Sequence, residues 1–240
     1  GVLEPGYGEH AQAWSNGGHR VLRLSADAIE AQLDGLQVLV LAHPNNPTGE
    51  TFSPGQLLDW HARLQVRGGW LLVDEAFADC RPELSLASHS HLPGLIVLRS
   101  FGKFFGLAGI RLGFVLAEPA LLHRLQARLG PWTVSGPARA LGRQALSAEN
   151  GAARRQRAAE LQQQGRRLAQ LLAKYGLPPS GGTALFQWVG TAQASALHAF
   201  LARRGILVRR FAQPASLRFG LPPDEPGWQR LETALKEFSR

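Results

Sequence analysis

The sequence contains no methionine, a single cysteine (Cys80) and only three lysines among its 240 residues. One thiol cannot form an internal disulfide, which excludes a disulfide-built secreted scaffold and favours a reducing compartment, the cytoplasm. No apolar run reaches the roughly 18 residues that a membrane-spanning helix needs, and the start, GVLEPGYGEH, lacks the basic and apolar regions of a signal peptide. We therefore expect neither a membrane partner nor a secreted protein, and the missing initiator methionine predicts that Gly1 is not the biological start.

Acidic residues are also scarce, since 26 Lys and Arg face 18 Asp and Glu and the net charge is +8. Such a balance is typical of nucleic-acid-binding proteins. However, the basic residues are spread along the chain, and their densest stretch, residues 153–167, has the pattern of one exposed helix face. The sequence shows no helix-turn-helix, zinc-finger or RNP pattern, and its eight histidines lack partners at metal-ligand spacing. Neither a metal nor nucleic acid is therefore an expected partner, and a basic nucleic-acid-binding module is kept as the distant alternative.

The first half of the chain alternates short apolar runs with amphipathic stretches. Runs such as VLVLA and WLLVD are apolar on both faces, which is typical of a parallel sheet covered by helices. This pattern predicts an α/β fold. The predicted strands are residues 20–24, 37–42, 70–73, 95–98 and 113–116, and the predicted helix is 54–66.

In the second half, long helical stretches are followed by short strands and further helices, and this order predicts a smaller α+β C-terminal domain. Its predicted helices are residues 137–147, 149–174, 192–204 and 228–238, and its predicted strands are 185–189, 206–209 and 216–219. We accordingly divide the chain into a partial large domain (1–136), connecting helices (137–175) and a small C-terminal domain (176–240).

Polar clusters follow three of the predicted strands: PNNPTG at 44–49, Asp74-Glu75, and residues 100–103. Ligands of open α/β sheets bind outside the carboxyl ends of the strands, so these clusters predict one site. Asp79, Cys80 and Glu83, by contrast, are predicted to lie in a surface-like loop.

A hydroxyl, an amine and a guanidinium follow the third of these strands as Ser100, Lys103 and Arg111, among glycines that let a backbone come close. This set suits an anionic ligand that also reacts with an amine. The spacing differs from that of a nucleotide-binding P-loop. From the residues alone, Lys103 could equally be a solvated loop lysine.

Three motifs in order, PNNPTG, VDEAF and SFGKFFGLAGIRLGF, resemble the signature blocks of the fold-type I, pyridoxal-phosphate-dependent aminotransferases of classes I and II. The resemblance covers essentially the whole chain. It implies pyridoxal 5'-phosphate as cofactor, a mainly parallel large domain with a small C-terminal domain, and a homodimer. It also implies that the N-terminal part of the family fold is absent from this sequence, so that we expect weak cofactor binding and leave the activity of this chain open.

The resemblance assigns catalytic roles to Lys103, which would bind the cofactor covalently and move protons, and to Asp74, which would pair with the pyridine nitrogen. Asn46 would donate to the 3' oxygen of the cofactor. Locally, Asp74 reads equally as a helix cap and Asn46 as a turn residue.

The other cofactor-binding residues that the resemblance implies are Ser100 and Arg111 at the phosphate and Tyr7 stacking on the ring. Two further arginines would bind substrate: Arg218 its α-carboxylate and Arg209 a distal phosphate. Arg210 would face solvent, because neighbours on a strand point to opposite faces.

The branch of the family is indicated by Phe77, at a position where many members carry a tyrosine that reaches the 3' oxygen. The combined motifs resemble most closely the branch that decarboxylates L-threonine O-3-phosphate in cobalamin biosynthesis. Transamination of a phosphorylated amino compound such as histidinol phosphate remains the alternative, because the choice depends on how the substrate is positioned.

Overall fold

The computed structural model describes residues 1–239, which form two compact units. The first unit contains Gly1–Asn46 and Glu50–Ala158, and the second contains Pro47–Gly49 and the chain from Ala159 onward. The helices are α1 (Gly8–Asn16), α2 (Ile29–Gln32), α3 (Pro54–Gln65), α4 (Pro119–Leu129), α5 (Gly136–Leu146), α6 (Gly151–Lys174), α7 (Ala194–Ala202) and α8 (Glu225–Phe238). The strands are β1 (Val2–Leu3), β2 (Arg23–Leu24), β3 (Val38–Ala42), β4 (Trp70–Asp74), β5 (Leu95–Ser100), β6 (Gly113–Leu116), β7 (Gly181–Thr183), β8 (Phe186–Gly190), β9 (Arg209–Phe211) and β10 (Ser216–Gly220).

The first unit is built on a six-stranded sheet in the order β2-β1-β3-β4-β5-β6. Its strands run parallel except β6, which is antiparallel to β5 at one edge. Alternate residues of the central strands enter different cores: Leu39 and Leu71 pack with Leu57 of α3, whereas Val40 packs with Ala11 of α1. Both faces of the sheet are therefore covered, which is why the strands are continuously apolar. The predicted fold class is confirmed.

The helix α3 connects β3 to β4 and shows why its boundaries could be predicted. Ser53 precedes it and its hydroxyl accepts a hydrogen bond from the backbone N–H of Gln56 at 3.1 Å. Pro54 occupies the first helical position, where its missing N–H costs no hydrogen bond. The apolar face of the helix then buries Leu57, Trp60 and Leu64.

The second unit contains a four-stranded antiparallel sheet in the order β7-β8-β10-β9. One face of this sheet packs on α6, α7 and α8 through side chains such as Leu168, Leu197 and Leu231. Residues 47–49 belong to this unit: Gly49 has a φ of 77°, and a Cβ at this position would collide with the backbone of Gly182. Glycine is therefore required there.

Some elements differ from the sequence-based predictions. The short helix α1 and the helix α4 were not predicted, and the strand predicted at 206–209 is formed by Arg209–Phe211 instead. The predicted surface-like loop is also wrong for Cys80, which is buried with its pKa raised to about 11 by burial and by the charge of Asp79.

The boundary between the two units falls inside α6, and the interpretation of residues 137–175 as a connector stays a prediction. Within the described residues, no helix is both long and apolar enough to cross a membrane.

A buried histidine makes the first unit sensitive to acid. His43 is fully buried, and its Nε2 accepts a hydrogen bond from the N–H of Phe52 at 2.9 Å. Burial lowers the pKa of His43 from 6.5 to about 4; the charge of Arg81 acts in the same direction, and the Phe52 carbonyl oxygen, 3.0 Å from Nε2 and able to accept a hydrogen bond from the protonated ring, opposes it. Because the unfolded chain binds this proton more readily, stability is present above pH 6.5 and falls as the pH decreases toward 4.

We predict that protonation linked to His43 lowers the free energy of unfolding by about 3 kcal/mol across this interval. Urea denaturation at a series of pH values measures the effect. His43→Gln, whose side-chain oxygen can still accept the Phe52 N–H, should flatten the acid limb, whereas the exposed His91→Gln should leave it unchanged. Identical acid limbs in His43→Gln and the parent would contradict the prediction.

Candidate active site

The polar residues that follow the strands of the first unit line one cavity. It has a volume of about 390 Å³, within the range of small-ligand pockets. All six cofactor-binding residues expected from the sequence lie on its wall: Tyr7, Asn46, Asp74, Ser100, Lys103 and Arg111. They come together because β3, β4 and β5 are parallel neighbours whose carboxyl ends meet at one edge of the sheet.

Asp74 is the last residue of β4, and its carboxylate is held from two sides. Its Oδ1 accepts a hydrogen bond from the backbone N–H of Ala76 at 3.1 Å, and its Oδ2 lies 3.1 Å from Nε2 of His10. The side chains of His10 and Asp74 are only 15% and 18% exposed. Asp74 is thus oriented at the base of the cavity, where a carboxylate can pair with a cationic ring nitrogen.

His10 is a site residue that sequence reasoning missed. It lies on the first turn of α1, three residues after Tyr7, and the two rings meet edge to face with their centroids 5.1 Å apart. The available signal was this spacing of an aromatic residue and a histidine at a helix start, where residues i and i+3 share one face. Its partner Asp74 is 64 residues away in the sequence, so no local pattern indicates the contact.

The segment around Asn46 is anchored by its buried neighbour Asn45. The side-chain amide of Asn45 donates to the carbonyl of Pro5 at 2.8 Å, and its backbone N–H donates to the carbonyl of Glu50 at 2.8 Å. The first bond ties this turn to the loop that carries Tyr7, two residues beyond Pro5. Asn45 therefore places Asn46 and Tyr7 on the same wall of the cavity.

The loop after β5 presents Ser100 and Lys103. The Ser100 hydroxyl accepts a hydrogen bond from the N–H of Gly102 at 3.1 Å, while Phe101 is buried and stacks on Phe105 with centroids 4.1 Å apart. Lys103 is exposed, and its Nζ lies 5.6 Å from the centroid of the Phe77 ring. The aromatic packing anchors the loop while the amine stays accessible to a ligand.

Arg111 closes the opposite side of the cavity in an unusual backbone conformation. Its φ is 52°, in the left-handed region, which is uncommon for residues other than glycine. Its Nη1 donates to the carbonyl of Ala108 at 3.1 Å, and its side chain is exposed. Backbone strain of this kind concentrates at ligand-binding sites. The guanidinium and the Ser100 hydroxyl together suit a phosphate group.

The two arginines expected to bind substrate lie in the second unit. Arg209 on β9 and Arg218 on β10 are directly opposite each other, so their side chains share a face of the sheet. Arg218 lies over the ring of Phe186, with its guanidinium carbon 5.2 Å from the centroid. Burial, and secondarily the charge of Arg209, lowers the pKa of Arg218. Two adjacent cations are a suitable arrangement for a ligand with two anionic groups.

Arg210 differs from these two arginines. It is exposed and donates from Nη1 to the hydroxyl of Ser195, at the start of α7, at 2.8 Å. Its cross-strand partner is Leu217, which points into the core of the unit. Within the described residues, no group of three or more His, Cys, Asp or Glu side chains is arranged to hold a metal ion.

The family of this chain follows from comparisons with known proteins. Residues 2–237 match the family described as aminotransferase class I and II. The chain belongs to this family. It is 57% identical over 238 residues to a threonine-phosphate decarboxylase from Pseudomonas aeruginosa, covering 99% of this chain and 71% of the relative. It is 44% identical to a threonine-phosphate decarboxylase from a Sinorhizobium species, covering 98% and 69%.

The fold of this chain is also similar to that of a solved aminotransferase structure. The histidinol-phosphate aminotransferase from Sinorhizobium meliloti, solved in complex with pyridoxal-5'-phosphate, superimposes with a TM-score of 0.85 at 22% identity. The match covers 100% of this chain and 70% of that one, which supports the same two-sheet architecture.

The side chains present fit the cofactor of this aminotransferase family, pyridoxal 5'-phosphate. The cavity offers an accessible amine for its aldehyde (Lys103), a cation and a hydroxyl for its phosphate (Arg111 and Ser100) and an oriented carboxylate for its ring nitrogen (Asp74). The aldehyde, the phosphate and the ring nitrogen of the cofactor thus each have a complementary side chain in the lining of the cavity.

Proposed function

We propose that this protein is a pyridoxal 5'-phosphate-dependent lyase that decarboxylates L-threonine O-3-phosphate in cobalamin biosynthesis. The products are CO2 and (R)-1-amino-2-propanol O-2-phosphate. The observation that carries the proposal is the 57% identity to a threonine-phosphate decarboxylase, sustained over 99% of the chain. The arginine pair supports a substrate that carries both a carboxylate and a phosphate.

In the reaction, the bond between Cα and the carboxylate breaks, its electron pair stays on Cα, and a proton replaces CO2. When bound, pyridoxal 5'-phosphate supplies the electron sink for that pair. Lys103 would bind the cofactor covalently and would then hold the proton that Cα receives. Asp74 would keep the ring nitrogen protonated, with His10 fixing the direction of its carboxylate.

The remaining cavity residues would bind and orient the reactants. Ser100 and Arg111 would hold the cofactor phosphate, Tyr7 would stack on its ring, and Asn46 would donate to its 3' oxygen. Phe77 lines the cavity without a hydroxyl, so Asn46 would make this donation without a second donor from position 77.

Arg218 and Arg209 would orient the substrate through its carboxylate and phosphate, respectively. Because the bond that breaks depends on how substrate is held, this pair would also determine the reaction type.

The reaction is tested by incubating the protein with pyridoxal 5'-phosphate and L-threonine O-3-phosphate in the absence of a keto acid. We expect CO2 and the amino-propanol phosphate in equal amounts. Product formation that depends strictly on 2-oxoglutarate, without CO2, would contradict decarboxylation and indicate an aminotransferase. A protein that binds no cofactor but retards DNA in a salt-dependent manner would instead indicate the nucleic-acid-binding alternative.

We further propose that the protein is a homodimer whose contact includes an apolar groove beside the cavity. The groove has a volume of about 620 Å³ and is lined by Phe114, Trp132 and Leu146 among others. Trp132 is 92% exposed, and the groove shares Leu112 and Gly113 with the cofactor cavity. Contiguous exposed apolar surface of this kind is typical of protein interfaces, and most soluble oligomers are homo-oligomers.

Sedimentation velocity tests the dimer. We expect Trp132→Glu to shift the protein toward the monomer, because the substitution removes a large apolar side chain from the groove and places a charge on the surface that the contact would bury. Val66→Glu is the matched control, since Val66 is 83% exposed at the end of α3 and outside the groove. A parent protein that sediments as a monomer at every concentration would contradict the proposal, as would equal effects of the two substitutions.

We also propose that the protein is cytoplasmic, because its single cysteine cannot form an internal disulfide and favours a reducing compartment.

A further inference from the structure

A largely buried ion-pair cluster borders the cofactor cavity, whose lining includes Arg99. The carboxylate of Glu75 is fully buried and accepts three hydrogen bonds: from the N–H of Leu86 at 2.7 Å, from the hydroxyl of Ser85 at 2.5 Å and from Nη1 of Arg99 at 3.0 Å. The second guanidinium nitrogen of Arg99 donates to Oδ1 of Asp79 at 2.7 Å. Arg99 thus bridges two carboxylates, with three-quarters of its own side chain buried.

The members of this cluster are next to the site residues in sequence. Glu75 follows Asp74 on leaving β4, and Arg99 precedes Ser100 on β5. The ladder between these two strands ends at the pair Asp74 and Leu98, with a last hydrogen bond from the N–H of Glu75 to the carbonyl of Leu98 at 2.9 Å. Beyond that bond, the side chain of Arg99, near the end of β5, is hydrogen-bonded to Glu75 and Asp79, which follow β4.

A guanidinium is suited to this task. Its donors form a rigid planar fork, so two carboxylates held by one fork keep a fixed separation. Burial makes the link hard to replace, because a carboxylate such as Glu75 is costly to bury without its partner. Burial also raises the pKa of Asp79, against the lowering effect of Arg99. The cluster therefore acts as a rigid joint between the two strand ends.

We propose that Arg99 is a positioning residue, acting with Glu75 and Asp79 to set the separation between Asp74 and the loop from Ser100 to Lys103. This inference rests on the proposed function, because that separation matters if Asp74 and Lys103 engage opposite ends of one cofactor. Arg99 borders the cavity itself, but its guanidinium is committed to the two carboxylates.

The test removes the joint without leaving the fully buried Glu75 as a charged group that has lost its guanidinium partner. The double variant Glu75→Gln/Arg99→Gln exchanges both charged groups for neutral amides. The matched control is Glu30→Gln/Arg63→Gln, since Arg63 likewise bridges two carboxylates, those of Glu30 and Asp34, but on the surface of the same unit.

Three measurements are made on the chain, with pyridoxal 5'-phosphate as the probe: the Kd from a titration followed by visible absorption, the pH dependence of that absorption at saturation, and thermal melting. We expect the Kd of the double variant to rise by about 10–100-fold, the range typical when residues that orient a ligand shell are removed. We also expect the pH profile of the absorption to shift, since the distance between Asp74 and the lysine-bound end of the cofactor changes. The surface control should match the parent in both measurements.

A folded double variant with the Kd and the pH profile of the parent would overturn the proposal. Should the double variant fail to fold, Arg99→Lys decides, because it keeps a charge beside Glu75 but loses the fork that also reaches Asp79. It should show an intermediate rise in Kd, and a Kd equal to that of the parent would again refute the role. A parent protein that binds the cofactor without releasing CO2 would refute the proposed function alone, since the binding measurements do not depend on turnover.

Discussion

Replacing Lys103 by alanine is expected to lower the rate of CO2 release from L-threonine O-3-phosphate by roughly 10³–10⁴-fold. Two losses combine in this variant: the amine that binds the cofactor covalently and the group that holds the proton for Cα. Lys103 is suited to both because its amine is exposed on the cavity wall while the neighbouring Phe101 anchors the loop in the core. Steady-state rates measured with saturating cofactor give the comparison.

A structural readout accompanies the rate. Borohydride reduction of the parent with pyridoxal 5'-phosphate should add one cofactor mass to the peptide that contains Lys103. The variant should gain none. Lys236→Ala is the control, because Lys236 is exposed in the last turn of α8 and is one of only three lysines. Covalent labelling that persists in the Lys103 variant, or that disappears in the Lys236 variant, would contradict the assignment.

Replacing Arg218 by glutamine is expected to lower kcat/KM for L-threonine O-3-phosphate by roughly 10²–10³-fold, the cost of removing one partner of a charged pair that is shielded from water. Arg218 is partly buried and held beside the Phe186 ring, so it is already ordered before a carboxylate binds. Lysine at this position should restore only part of the loss, because an ammonium cannot bind a carboxylate through a planar fork.

The neighbouring arginines separate the two anionic groups of the substrate. Arg209→Gln should reduce kcat/KM for the phosphorylated substrate but should leave any turnover of unphosphorylated threonine unchanged, since threonine lacks the phosphate. Arg210→Gln is the matched control, because its side chain is bound to Ser195 and its cross-strand partner is the core residue Leu217. Equal losses in all three variants would indicate a general effect of charge rather than two specific contacts.

The sequence predicted the fold well where local pattern and tertiary environment agree. β3 and β4 are apolar on both faces because helices cover both faces of their sheet, so an unbroken apolar run was a sufficient signal. The start of α3 was equally readable, since Ser53 and Pro54 satisfy the local requirements of a helix start. The helix α1 was not predicted. It follows a turn directly, spans only nine residues and buries a single alanine, Ala11, which leaves little periodicity to detect.

The residues of the candidate site likewise fall into those that a local sequence motif indicates and those that only tertiary contacts reveal. Lys103, Asp74 and Asn46 stand in recognisable motifs at strand ends, and parallel pairing alone brings strand ends together. Their roles remain proposals, whereas their convergence on one cavity is observed. His10, Arg99 and Asp79 were not recognised, because each acts through a partner on another element. The loop of Asp79 and Cys80 has a polar sequence, yet Cys80 is buried and the Asp79 side chain, paired with Arg99, is only 16% exposed.

By itself, therefore, the sequence determined the class of fold, the family and the six residues that line the cavity, since these follow from hydrophobic periodicity and from short motifs that resemble those of the family. Only the tertiary structure decided which side chains orient those residues: His10 against Asp74, Asn45 against Pro5, and Arg99 between Glu75 and Asp79. The physical reason is the sequence separation of the residues that determine each feature. Periodicity is set by neighbours a few residues apart, whereas a buried hydrogen bond is set by whichever groups folding brings within about 3 Å, and here those groups lie from 20 to 64 residues apart.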